Sequence, residues 1–61
     1  MKHRCKLKQL SEGDVFLTKL GNKMVYIRFL GNDRHLLKSL EKGKKFEVPH
    51  GRYPVEKIIN Q

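Results

Sequence analysis

A chain of 61 residues is enough for one domain and no more. The single cysteine, Cys5, rules out an internal disulfide, and no Cys/His cluster at zinc spacing appears, so neither usual staple of a small fold is expected. Fourteen Lys and Arg against six Asp and Glu leave a net charge of +8, and no apolar run approaches the roughly 18 residues of a membrane span.

The charge is uneven. Residues 1–10 carry four cations and no acid, residues 11–33 balance three against three, and residues 34–61 carry seven against three. Residues 1–10 therefore read as a basic N-terminal arm, either a first edge strand or a mobile tail, ahead of a single small domain over residues 11–61. The basic start lacks a following apolar stretch, so a secretory signal is not expected. Together with the lone Cys5, this suggests a cytoplasmic protein with no membrane partner.

Ser11-Glu12-Gly13-Asp14 has turn composition, and its Ser-to-Asp spacing also matches a helix capping box. The β-branched and aromatic Val15-Phe16-Leu17-Thr18 favours a strand. Val15 to Leu20 and Lys23 to Leu30 then form a predicted hairpin around a two-residue Gly21-Asn22 turn. Period-two alternation assigns Val25, Ile27 and Phe29 to the core face and Met24, Tyr26, Arg28 and Leu30 to the other.

Gly31-Asn32-Asp33 is the next predicted turn. Arg34 to Leu40 suits a strand better than a short helix, with Leu36 and Leu40 on one side and Leu37 on the other. Glu41 to Lys44 is a polar turn. Lys45-Phe46-Glu47-Val48 alternates again, with Phe46 and Val48 inward, and Pro49 ends the strand. His50-Gly51-Arg52-Tyr53-Pro54 is a loop with two breakers, and Val55 to Ile59 is a final strand or one helical turn.

Short strands separated by regular turns predict an all-β domain, a barrel of about five short antiparallel strands. The long hairpin, the Gly13-Asp14-Val15 entry and the Pro/Gly interruption before the last strand resemble SH3-like barrels in architecture. That layout is shared by small chromatin proteins, ribosome-associated modules and peptide readers, so the resemblance implies a fold and not a function.

The predicted function is low-specificity nucleic-acid binding, to DNA or RNA, in an architectural or regulatory role, because so basic a surface attracts polyanions. Tyr26 would stack beside Arg28, Arg34 and Lys38 on one sheet face. Lys42, Lys44 and Lys45 would meet phosphates at a turn tip, and Lys2, Arg4, Lys6 and Lys8 would run along a phosphate backbone. Arg52 and Tyr53 repeat the pairing of cation and aromatic ring. The bland readings are a solvated loop, a disordered tail, a structural Tyr53, and Arg28 paired with Asp33 or Glu47.

The alternative is an interaction module or inhibitor that binds an acidic protein through a groove or strand edge. Homo-oligomerisation through Met24, Leu30 and Leu37 is a further reading. No enzyme and no cofactor are expected. His3, His35 and His50 are dispersed, Cys5 lacks a supporting third group, and so small a domain is not expected to enclose a pocket of roughly 300 Å³ beside its core.

Overall fold

The computed structural model describes residues 2–58. Six strands, β1 (Lys2–Lys6), β2 (Val15–Leu17), β3 (Lys23–Gly31), β4 (Arg34–Ser39), β5 (Lys45–Val48) and β6 (Pro54–Ile58), form one antiparallel sheet in the order β1-β6-β2-β3-β4-β5. A 3₁₀ turn at Leu7–Gln9 follows β1. The all-β expectation holds, but there are six strands and not about five. The extra one is the basic arm itself, which pairs along its whole length with β6.

The sheet is open, so the expected barrel is not closed: among the described residues β1 and β5 are its two edges and do not pair with each other. Apolar packing on its inner face substitutes for closure. Leu7, Leu10, Phe16, Met24, Tyr26, Leu37 and Val55 form the core, with Cys5 and Val48 packed against it. Two of these, Leu7 and Leu10, come from the charged first ten residues. The Leu7 and Lys8 amides donate to the carbonyls of Tyr53 and Gly51, which docks the 3₁₀ turn on the loop before β6.

Residues 11–14 form a turn and not a helix start. The Ser11 amide donates to the Asp14 carboxylate and the Asp14 amide to the Ser11 carbonyl, after which the chain enters β2 directly. The hairpin of β2 and β3 is present, yet its connection is longer than Gly21-Asn22. Leu17 pairs with Lys23, leaving residues 18–22 as the loop. The Thr18 side chain holds it by accepting the Asn22 amide. The turn between β3 and β4 is two residues, Asn32 and Asp33, both with positive φ (51° and 59°). That is the twist-matched geometry a tight hairpin needs, and Asn and Asp tolerate it.

The face assignment is reversed from expectation over Met24 to Ile27: Met24 and Tyr26 are buried, and Val25 and Ile27 are half-buried on the outer face. Beyond Ile27 the expected faces return, with Arg28 outward and Phe29 on the side of His35, ring centroids 5.2 Å apart, though more than half exposed. Every residue from Met24 to Ile27 is apolar, so alternation offered no contrast, and the bulkier pair fills the interior. A β-bulge then sets both Ile27 and Arg28 opposite Leu36. In β4 the inward residues are His35, Leu37 and Ser39, and Leu40 is exposed. Thus Leu36 and Leu40 are not the core pair, and Met24 and Leu37 are not surface residues available for self-association.

Strand β5 matches its expected bounds, and Phe46 points inward beside Leu37. It is nevertheless 43% exposed, because no strand lies beyond β5 to cover it. The final segment is a strand through Ile58, and Ile59 lies outside the described residues.

Candidate functional site

Strand alternation brings the cations of β3, β4 and β5 onto the outer face. His35 and Leu37 point into the interior, so Arg34, Leu36 and Lys38 point out; Phe46 and Val48 face in, so Lys45 and Glu47 face out. The bulge keeps Arg28 on this same outer side, opposite Leu36. Arg28, Arg34 and Lys38 are therefore neighbours, as the sequence suggested, and Lys45, expected with Lys42 and Lys44 at the turn tip, joins them across from Lys38. Tyr26 is not among them. At 4% exposure it belongs to the core, so it cannot be the stacking platform.

Lys38 and Lys45 sit directly across from each other. The Ser39 amide donates to the Lys44 carbonyl, and ladder bonds in an antiparallel pair alternate, so Lys38 and Lys45 form a non-hydrogen-bonded pair. Side chains approach most closely in such pairs, and like charges placed this way are destabilising. No carboxylate among the described residues forms an ion pair with either. Among the described residues, ion pairs join Arg34 to Glu47, Arg52 to Asp33 (3.9 Å) and Lys57 to Asp14 (3.3 Å). Arg28 pairs with neither Asp33 nor Glu47, and like Lys38 and Lys45 it has no ion-pair partner among the described residues.

The other expected cations lie elsewhere. Lys2, Arg4 and Lys6 line the far edge of the sheet on β1, alternating with His3 and the inward-facing Cys5. Lys42 and Lys44 occupy the turn between β4 and β5, where the Lys42 amide donates to the Ser39 hydroxyl (3.2 Å). Lys8 lies on the 3₁₀ turn against Gly51. Tyr53 is 41% exposed and stacks on His50, with ring centroids 4.3 Å apart and planes 14° from parallel. The sequence placed both residues in one loop but gave no signal for their stacking. Arg52 reaches back to Asp33, so this loop presents an aromatic pair beside a neutralised cation.

A polar chain that the sequence did not reveal runs from the exposed Asp33 into the core and ties these loops together. The Asp33 carboxylate accepts the Gly51 amide at 3.3 Å and lies 3.4 Å from His35 Nε2. A carboxylate can only accept, so the neutral His35 ring carries its proton on Nε2, and Nδ1 accepts the Tyr26 hydroxyl at 2.7 Å. Desolvation pushes the Asp33 carboxyl upward. The hydrogen bonds from His35 and Gly51 and the positive charge of Arg52 outweigh it, leaving the carboxyl below its ordinary value. Burial, and secondarily the charge of Glu12, raise the Tyr26 hydroxyl above its ordinary value. The chain ends at Tyr26 in the core, so it works as a brace between the Asn32-Asp33 turn, β3 and the loop at Gly51.

On the inner side, the missing closure leaves an open apolar cleft of about 480 Å³ between β5, the 18–22 loop and the start of β6. A cleft this size beside the core was not expected of so short a chain. No group of three or more His, Cys, Asp or Glu able to hold a metal occurs among the described residues. Among those residues, no helix is long and apolar enough to cross a membrane.

No protein-family model matches the chain, and comparison with curated proteins and with solved structures gives no match.

Proposed function

We propose that this protein binds nucleic acid through the phosphate backbone, with low sequence specificity, on the outer face of β3, β4 and β5. The observation that carries the reading is the Lys38–Lys45 juxtaposition beside an unpaired Arg28. Like charges held at a close cross-strand pair cost stability in the free protein, and a phosphate placed between them removes the repulsion. Lys2, Arg4 and Lys6 on the opposite edge, with Lys42 and Lys44 at the turn, extend the attraction without adding base recognition. No aromatic ring takes the place of Tyr26 in this reading, since the Tyr53–His50 stack lies in the loop before β6 with Tyr53 lining the inner cleft.

The same proposal takes β2 to β6 as an SH3-like barrel left open. Support comes from the meander β2-β3-β4-β5, with β6 returning beside β2.

The test is fluorescence anisotropy with labelled duplex DNA, single-stranded DNA and RNA across a range of salt. With about five phosphates engaged on duplex DNA, log K falls against log salt with a slope of roughly −4 to −5. Arg28→Ala, Lys38→Ala and Lys45→Ala each reduce that slope by about 0.9. Failure to bind any of the three polymers at low salt overturns the reading.

A further inference from the structure

We infer that the cleft is the seat for a partner protein's extended segment, added beside β5 as a seventh strand, with apolar residues facing inward and an acidic residue opposite Lys45. The cleft lies on the inner side of the sheet and shares Lys42, Lys44 and Lys45 at its rim with the face proposed for nucleic acid, but the inference does not depend on that proposal.

The geometry of β5 supports it. Among the described residues only β4 pairs with β5, so its other side is an open edge there. The ladder alternation that makes Leu37–Phe46 and His35–Val48 hydrogen-bonded pairs turns the backbone N–H and C=O groups of Lys45 and Glu47 away from β4. These are the groups an added strand would engage. Phe46 and Val48 line the cleft, whose floor is core: Phe16, Met24, Leu37 and Val55. Side chains two apart on an incoming strand would enter beside Phe46 and Val48 and cover the ring that is now 43% exposed.

Natural edges are commonly guarded by charges pointing inward, but here the inward positions are Phe and Val. The charges at this edge select the occupant. Lys42, Lys44 and Lys45 flank it, and none is ion-paired among the described residues. Lys42 also lines the cleft together with Lys19, against one acid, Glu41. A second copy of this chain would set this cationic cluster and a net charge of +8 against themselves. An acidic strand with alternating apolar residues matches both the charge and the floor.

The probe is a blocked peptide, Glu-Leu-Glu-Val-Glu-Phe-Glu, titrated into isotope-labelled protein. Its control has the same residues rearranged with all four glutamates first. The expected result is perturbation of the Lys45 to Val48 amides by the alternating peptide, with at least tenfold weaker binding of the rearranged one. Phe46→Ser should weaken binding by about tenfold, the loss of one apolar anchor.

Glu47→Pro separates edge pairing from simple charge attraction. It removes an outward N–H that β4 does not use, and it also makes the protein more positive. Edge pairing predicts lost binding, and charge attraction alone predicts equal or tighter binding. Should Glu47→Pro fail to give a folded amide spectrum, Phe46→Ser and the rearranged peptide decide. Equal binding of the two peptides, retained binding by folded Glu47→Pro, or unchanged binding by Phe46→Ser overturns the inference. So does dimerisation of the free protein that Glu47→Pro abolishes. Arg28→Ala should leave peptide binding unchanged, so failure here is distinguishable from failure of nucleic-acid binding.

Discussion

The Tyr26 hydroxyl and His35 Nδ1 lie 2.7 Å apart in the interior, each the other's buried polar partner. Their rings are also tilted against one another at a centroid separation of 5.7 Å. The contact couples β3 to β4, and through Asp33 it reaches the loop that carries Gly51 and Arg52.

Tyr26→Phe keeps the ring and removes the donor, leaving His35 Nδ1 buried without a partner. The expected loss is about 1–3 kcal/mol of stability, measured by urea unfolding. A pH signature accompanies it. The folded-state value of Tyr26 is raised, so above its ordinary 10.0 the unfolded chain gives up a proton that the folded one keeps. Stability therefore falls as pH rises through that region, and Tyr26→Phe removes this contribution. An unchanged alkaline slope in the variant would contradict the assignment.

Asp33 acts at the other end of the pH scale. Its folded-state value is depressed below the ordinary 3.8, so its contribution is present above that value and is lost as pH falls through the folded value. Asp33→Asn keeps an acceptor oxygen but not the charge. Unfolding midpoints taken from about pH 5 to about pH 2 should fall less steeply with acid in the variant than in the parent.

Gly51 is buried where the loop crosses the 3₁₀ turn. A Cβ there would lie 2.5 Å from Lys8 Cβ, 2.6 Å from His35 Nε2 and 3.0 Å from Lys8 Cα. Because one of these contacts is backbone, Gly51→Ala must displace the docked turn. The expected cost is about 1–3 kcal/mol, the usual penalty of overpacking. Each kcal/mol should appear as a drop of roughly 4–8 °C in Tm.

Lys45→Glu sets stability against binding. It converts the close Lys38–Lys45 pair into one of opposite charge, worth about 0.2–1 kcal/mol of added stability. Oligonucleotide affinity should fall in the same protein. A variant neither more stable nor weaker in binding would remove the argument for the outer face.

Turn chemistry carried most of the legible fold. Asn32-Asp33, the polar Glu41–Lys44 turn and Pro49 announce themselves because each needs a particular residue type, and β5 falls within its expected bounds. Faces were harder to read. Met24 to Ile27 is apolar throughout, so burial there is decided by the shape of the interior, a tertiary property. Strand β1 was obscured for the opposite reason: its residues are mostly charged, and its partner β6 lies some fifty residues away in sequence. Within the candidate site, Arg28, Arg34 and Lys38 were readable as a group, but Lys45 was assigned to the turn tip, because its place across from Lys38 depends on the β4–β5 register. The brace of Asp33, His35 and Tyr26 was not, since neither composition nor spacing announces a hydrogen bond between strands.

The bulge at Ile27 and Arg28, like the second register shift between Phe29 and Gly31, gives β3 a position where the chain can change length without exchanging inside for outside. Deleting Ile27 leaves Tyr26 opposite Leu37 and Arg28 opposite Leu36, so the residues on either side keep their faces. Deleting Val25 instead moves one end of the strand by a full step and turns either Met24 or Tyr26 toward water. A one-residue length difference between otherwise interchangeable versions of this domain is therefore accommodated at this point of the strand, and the cationic face survives it intact.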